Sequence, residues 1–269
     1  MSTDNARYFV STLARGMQVL EAFSLESPQL TLTEIAARVD LDKSTAFRLL
    51  YTLEQLGYLE RDAQTRLYRL GLKPVQVGLT ALNSLDLVQV AEPHLKALFA
   101  RCGETTNMAV RDGRDILYVA RHRTQQVLNV GLAAGSRLPV WCTSMGKAQL
   151  VDLSPEELGA LIGDDVFPPA GPNAHHDLAS LLADLQQIRA RGYALNDEEL
   201  AIGVRSVAAP VRDRSGRVVA AVNVSVPSAR VSRAELEARI APVVVETAGR
   251  ISQALGAVPR SRHPAGSGS

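Results

Sequence analysis

The sequence predicts an α+β protein of two parts, and three observations carry that expectation. Between Thr31 and Gly57, apolar residues recur every three or four positions in two short runs, parted at Asp40-Leu41, which is helical spacing. From Thr105 the period shortens towards two, with turn signals at Asp112-Gly113 and Asp213-Arg-Ser-Gly216, which is strand spacing. The strand-like runs are flanked by helical stretches, and no segment repeats. Strands flanked by helices and including an antiparallel hairpin suggest a sensor-like α+β domain. At 269 residues the chain can form one large or two medium domains.

Residues 1–11 are polar and expected to be mobile. Thr12 can cap a first helix in which Leu13, Met17, Leu20 and Phe23 form one face, a support for the pair that follows. Thr31 with Glu34 is a capping-box pattern, hydroxyl and carboxylate each satisfying the other's free backbone donor. Ile35, Ala36 and Val39 give this short helix its buried side. Asp42 is suited to cap a second helix that runs to Gly57, a usual helix-ending residue. Its apolar stripe is Ala46, Leu49, Leu50, Leu53 and Leu56, and its other side shows Lys43, Ser44, Thr45, Arg48, Tyr51, Thr52 and Gln55.

An ordinary helical hairpin with a solvated face would look the same as far as Gly57. The next stretch separates the two readings. Tyr58–Arg61 and Arg66–Leu70 are short strand-like runs around the polar turn Asp62-Ala-Gln-Thr65. A helix-turn-helix followed at once by a hairpin is a winged helix, a fold that lays its second helix in a DNA major groove. Ser44, Thr45 and Arg48 are then placed for base edges, and Lys43, Thr52 and Arg66 for phosphates. Arg61 and Arg69 are further wing cations.

Gly71-Leu-Lys-Pro74 breaks the pattern, and a helical stretch follows to about Leu82. It is richer in apolar residues than one small domain needs, which suits a linker or dimerisation helix. After the interruption at Asn83-Ser84, Asp86 to Cys102 is a further helix with Leu87, Val90, Leu95, Leu98 and Phe99 apolar. Strands are expected over Thr105–Val110, Ile116–Ala120 and Val127–Val130. Gly135 to Trp141 is a loop, and Ser144 opens a helix through Leu153. Ser154-Pro155-Glu156-Glu157 is a second capping box with proline in its first turn. A proline-rich loop, Phe167 to Asn173, precedes an amphipathic helix from Asp177 to Arg191, closed by Gly192. Tyr193–Asn196, Ser206–Val211 and Val218–Val226 are strands, and Ser232 with Glu235 caps a last helix to about Leu255. A disordered tail is expected over residues 258–269.

Composition narrows the class. With 46% hydrophobic and 21% charged residues the chain has the balance of a soluble globular protein. The net charge of +1 excludes a nonspecific polycation, though not a few cations aligned along one groove-facing surface. Cys102 and Cys142 lack metal-type spacing, no apolar run can span a bilayer and no secretion signal opens the chain, so a reduced, cytoplasmic protein is expected. Trp141 and Ala148 spoil a phosphate loop around Gly146-Lys147, and Cys142-Thr-Ser-Met-Gly146 lacks the first glycine of a nucleophile elbow. His175-His176 has no metal-ligand company. No catalytic residue, cofactor or metal is therefore expected. A metabolite-processing enzyme with an accessory DNA-binding domain is the competing class, and it would need a nucleophile and base that are not visible here.

Three segments, TLTEIAARVDLDKSTAFRLLYTLEQLGYL, SRLPVWCTSMGKA and GYALNDEELAIGVRSVAAPVRDRSGRVVAAVNVSVP, taken in this order resemble the IclR family of bacterial transcriptional regulators. The resemblance covers Leu13 to Leu255. YVAR at 118–121, CTSMGK at 142–147 and NVSVP at 223–227 look most like its branch regulating aromatic-acid catabolism. It implies a winged helix-turn-helix DNA-binding domain over residues 1–71, a linker helix over 72–84 and a GAF-like effector-binding domain over 85–257. It further implies a homodimer or dimer of dimers on double-stranded operator DNA. The residues matching the family's effector pocket are Ser144, Met145, Asn196, Ser206, Asn223 and Ser225. Ser144 and the donors of a helix start suit a carboxylate, the others offer neutral hydrogen-bonding groups, and Met145 an adaptable wall. Asn196 stands where some members carry aspartate, which favours a larger or aromatic acid over a glyoxylate-sized one. Arg121, Arg123 and Arg137 could pair with the ligand's carboxylate or with surface acids.

Overall fold

The computed structural model describes residues 8–24, 26–83, 86–123, 132–163 and 167–258. The chain divides into two compact units, residues 1–84 and 85–269.

The first unit is built on helices α1 (Ser11–Glu21), α2 (Leu32–Arg38) and α3 (Lys43–Gln55), strands β1 (Leu59–Arg61) and β2 (Tyr68–Leu70), and helix α4 (Leu72–Asn83). Local chemistry explains most of its boundaries. Thr31 and Glu34 form the capping box at α2. The Asp42 carboxylate accepts from the amides of Ser44 and Thr45 at 2.9 and 3.0 Å to start α3. Past the end of α3, Gly57 takes the left-handed conformation that a side chain resists. Val19, Phe23, Leu30, Ile35, Leu50, Leu59 and Tyr68 form the core, with Leu20, Val39, Leu49 and Leu53 against it. The strands pair in antiparallel register, Leu59 to Leu70 and Arg61 to Tyr68, and Leu30 forms an isolated antiparallel bridge on the other side of Tyr68.

Two expectations fail in this unit. Helix α1 begins at Ser11 after Val10, without a side-chain cap, and not behind Thr12. Its buried residue is Val19, with Phe23 of the core just past its end, while Leu13 and Met17 are 61% and 50% exposed. Gly71 to Pro74 is also no break. Helix α4 starts at Leu72, because a proline in the first turn forfeits an amide that has no helical partner anyway.

The second unit is one six-stranded antiparallel sheet covered by helices. In chain order it holds α5 (Asp86–Cys102), β3 (Thr105–Asp112), β4 (Asp115–His122), β5 (Arg137–Pro139), α6 (Ser144–Leu150), α7 (Pro155–Ile162), α8 (Leu178–Arg191), β6 (Ala194–Asp197), β7 (Val204–Arg212) and β8 (Val218–Pro227). A last helical run joins α9 (Arg233–Glu235), a π-helical turn over Leu236–Ile240 and α10 (Ala241–Ala254). Strand order is β5-β4-β3-β8-β7-β6. Helix α6 packs on β7 and β8 from one side, and α10 packs against β7, β8 and α5.

Helix starts again follow local signals: Ser154 with Glu157, Asp177 and Ser232 each cap as their types predict. The differences have tertiary causes. Residues 137–139 form an edge strand on β4 where a loop was expected. Helix α6 stops at Leu150, short of Leu153. The π turn accommodates Pro242, whose missing amide cannot continue an α-helical ladder. The strand expected over 127–130 and the tail from residue 259 lie outside the described residues. Among the described residues, no helix is long and apolar enough to cross a membrane.

Candidate functional site

In the first unit the exposed side of α3 carries Lys43, Ser44, Phe47, Arg48, Tyr51, Thr52 and Gln55, and Thr45 is half-buried. Ala46 and Leu50 are buried on the opposite side, so the polar stripe faces out because the apolar one holds the helix down. The Thr52 hydroxyl donates to the Arg48 carbonyl at 2.9 Å, which uses its hydrogen within the helix. In the wing, Arg61 lies over the Tyr68 ring at 5.2 Å, and Arg69 is held by Glu60 at 2.7 Å. Both thus have a neighbour in the hairpin, although Arg69 stays 61% exposed. Arg66 sits exposed at the tip in the left-handed region, φ 64°. The turn is set by Asp62, whose carboxylate accepts from the amides of Gln64 and Thr65.

In the second unit, strand register gathers the polar residues. Asn196 pairs with Ser206, Ser206 with Ser225, and Ser225 with Thr105 across four strands. The adjoining row runs from Asn223 through Asn107 to Arg121. Because alternate strand residues share a face, Ala109, Ala194, Ala208 and Ala221 continue the same face as small apolar residues, packed in the core with α6, α7 and α8. One sheet face is therefore polar towards one end and closely packed towards the other. Over the polar end lies a cavity of about 720 Å³, open mouth included.

Its lining includes Thr105, Asn107, Tyr118, Arg121, Ser144, Ser206, Asn223 and Ser225 from the core of the sheet and α6, and Leu200, Ala201 and Gly203 from the β6–β7 loop. Tyr118 and Arg121 are three residues apart and would face opposite ways in a regular strand. The register of β4 skips Val119, since Met108 pairs with Ala120 but Ala109 with Tyr118. That bulge turns both side chains to the cavity.

The hydrogen bonding is unevenly satisfied. Asn107 donates to Asn223 at 2.7 Å, Ser144 and Ser206 share a hydrogen bond of 2.7 Å, and the Asn223 amide donates to Ser144 and Ser225 at 3.4 and 3.3 Å. Against this, Thr105 Oγ1, Asn107 Oδ1 and Arg121 Nε are buried with no partner among the described residues. Groups of this kind in a folded protein call for a ligand or water. Arg121 is the single ionised side chain in the described lining. Burial lowers its pKa, against the opposite pull of Tyr118, yet a guanidinium stays cationic. Burial pushes Tyr118 up to about 12, so it presents a neutral phenol. Arg137 is instead paired with Asp112 at 2.6 Å and Asp115 at 3.4 Å, and Arg123 stands exposed.

Two sequence candidates are differently employed. Met145 does not line the described cavity and is buried in the core beside Trp141 and Cys142. Asn196 lines the cavity, but its amide donates to the Cys142 carbonyl at 2.8 Å and its oxygen accepts from the Glu199 amide at 3.2 Å. It fastens the lining loop to the start of α6. The N-terminus of α6, expected to cradle a carboxylate, is a seven-residue helix whose Gly146 amide is already capped by Thr143.

Behind that loop lies a cluster not visible in the sequence. Lys147 is 1% exposed and bonds Asp184 at 2.7 Å and Glu199 at 2.6 Å. His175 is 3.3 Å from Asp184, and Arg191 also reaches Asp184 at 3.3 Å. His175, Asp184 and Glu199 bring metal-ligating atoms within 4.8 Å of one another, but the lysine ammonium already occupies the position between the carboxylates. The signal was a lysine within the otherwise uncharged helix SMGKAQL; its partners lie 37 and 52 residues away.

Comparison with known proteins agrees with both halves. Residues 12–63 match the model of the IclR helix-turn-helix domain, and residues 79–253 that of the bacterial transcriptional regulator IclR C-terminal domain. The Pca regulon regulatory protein of Pseudomonas putida is 39% identical over 238 residues, 88% of this chain and 81% of that protein. A transcriptional regulator of Rhodococcus sp. RHA1 superposes with a TM-score of 0.81 at 37% identity, over 92% of this chain and 98% of that one. An IclR homologue of Microbacterium hydrocarbonoxydans, solved in complex with 4-hydroxybenzoate, superposes with a TM-score of 0.79 at 27% identity, over 91% and 98% of the two chains.

Proposed function

The chain belongs to the IclR family of bacterial transcriptional regulators, and from that premise we propose that it controls a catabolic operon in response to a small aromatic carboxylic acid held in the second unit's cavity. It is a DNA-binding regulator and not an enzyme. The observation that carries the ligand class is Arg121, a cation with an unpartnered, buried Nε in a lining that holds no carboxylate among its described residues. A half-buried guanidinium with its Nε unpartnered gains from a counter-ion, and a ligand carboxylate supplies one. Hydroxyls of Ser144, Ser206 and Ser225 and the amide of Asn223 complete a donor-rich wall. Asn196 holds the lining loop, and Met145 packs behind Ser144. The 4-hydroxybenzoate complex of the Microbacterium homologue supports the aromatic assignment.

On DNA, Ser44, Thr45 and Arg48 read base edges, while Lys43, Thr52 and Arg66 meet phosphates. The working form is a homodimer or dimer of dimers. Among the described residues, Tyr8, Phe9, Leu13 and Met17 at α1 and Leu72, Val75 and Val77 on α4 are exposed apolar side chains, which supports association of copies.

Trp141, the single tryptophan, lies at the approach to α6 and gives the test its signal. Its fluorescence is titrated with benzoate, 4-hydroxybenzoate, protocatechuate and small dicarboxylates, with calorimetry as the second readout. Saturable binding of an aromatic acid is expected, weakened by roughly 10- to 100-fold in Arg121→Gln, the worth of a charge-assisted hydrogen bond. Absence of heat and quenching across the aromatic acids overturns the ligand assignment and leaves DNA binding untouched.

A further inference from the structure

We propose that Phe47 of helix α3 reads thymine, by packing its ring against the C5-methyl group in the major groove. Phe47 and Arg48 lie three and four residues after Ser44, and Tyr51 lies four and three after them, so the set shares one side of the helix, and all four are exposed. Phe47 is 48% and Tyr51 55% exposed. An aromatic ring in the middle of a polar helical side is the residue that water does not explain. Phe47 is no part of the core of its own unit, to which α3 contributes Leu50, with Leu49 and Leu53 packed against it.

What surrounds the ring indicates its partner. Lys43, proposed for a phosphate, lies one turn before it and Arg48, proposed for a base edge, follows it, so the ring lies between a group for the groove's border and one for its floor. The N-terminal half of a recognition helix carries the base contacts, and Phe47 lies in that half of Lys43–Gln55. Of the four bases only thymine presents an apolar group there, its methyl. Arg48 can bond a guanine edge while Phe47 covers the methyl of a neighbouring thymine, so adjacent residues specify different bases by different chemistry.

The test uses the full-length protein and a duplex selected by it from a random library. Each dT of that duplex is replaced in turn by dU, which deletes the methyl and nothing else. Wild-type affinity is expected to fall about fourfold at one or two positions in each half-site, the worth of one buried methyl group. Phe47→Ala binds the dT duplex more weakly but does not distinguish dT from dU at those positions. Phe47→Leu, which keeps an apolar side chain, retains part of the distinction. Nonspecific binding and its salt dependence stay as in the wild type. Equal losses on dT and dU duplexes for Phe47→Ala assign the ring a structural role and overturn the proposal. So does indifference of the wild type to every dU, or a change in sedimentation showing that the ring is a subunit contact. Because wild-type affinity for the selected duplex is measured alongside, a failure of Phe47 is distinct from a failure of DNA binding.

Discussion

An ammonium group taken out of water survives as a charge only where carboxylates close on it, and Lys147 meets that condition with Asp184 and Glu199. The two acids respond in opposite ways. Burial raises Glu199, with Lys147 pulling it back, whereas Asp184 is buried too but is held well below the ordinary carboxylate range by His175, Lys147 and Arg191. Lys147→Met leaves Asp184 with Arg191 and His175 but strips the buried Glu199 of its ammonium partner, and a loss of about 3–5 kcal/mol is expected at neutral pH. The pH dependence follows from the sign of the Glu199 shift. A carboxyl whose folded pKa lies above its unfolded value contributes least when charged, and stability rises as falling pH protonates it. Without Lys147 that upward shift grows, so the gap between variant and wild type should narrow as pH drops from neutrality. The Asp184 contribution persists until pH falls through its depressed folded value. Urea unfolding across the pH range checks this, and a gap that does not change with pH would reject the charge explanation in favour of lost packing.

At the scale of elements, the proposed division of DNA contacts between α3 and the wing predicts that single substitutions separate their roles. Arg48→Ala is expected to cost about 1–3 kcal/mol on the preferred duplex and relax its sequence preference, as loss of a base contact does. Arg66→Ala should weaken specific and random duplexes alike and reduce the salt slope by about one unit. Filter binding at several salt concentrations distinguishes them; equal losses for Arg48→Ala on specific and random DNA would refute base reading. The placement of these residues was legible because it depends on local chemistry: Asp42 caps α3 and Ala46 with Leu50 bury its back. The same locality made the starts of α2, α7 and α8 readable from Thr31, Ser154 and Asp177. What the string did not disclose was pairing. Arg61 and Arg69 look as available as Arg66 until Tyr68 and Glu60 are brought across the hairpin. The cavity divides in the same way. Ser144, Ser206, Asn223 and Ser225 were readable through family resemblance, but Tyr118 and Arg121 share a face only because Val119 bulges out of a register that needs β3 to define it.

For the whole molecule, a ligand in one unit can alter DNA binding by the other only to the extent that it binds the DNA-free and DNA-bound states with different affinity. Linkage then makes the effect reciprocal. If the acid changes operator affinity by some factor, the operator changes acid affinity by the same factor, expected here at about 5- to 150-fold. Two titrations measure this independently: operator binding with and without saturating acid, and acid binding with and without saturating operator. Arg121→Gln connects the factor to the cavity. It should abolish the acid's influence at concentrations that saturate the wild type while leaving operator affinity without acid unchanged, because Arg121 lies in the second unit's lining and α3 in the first unit. Unequal factors would mean that more than one acid-binding event or a change of assembly state intervenes. An Arg121→Gln protein with altered operator affinity in the absence of acid would make Arg121 part of the coupling structure itself, and the free cation in the cavity would then require a different explanation from that of a counter-charge for the ligand.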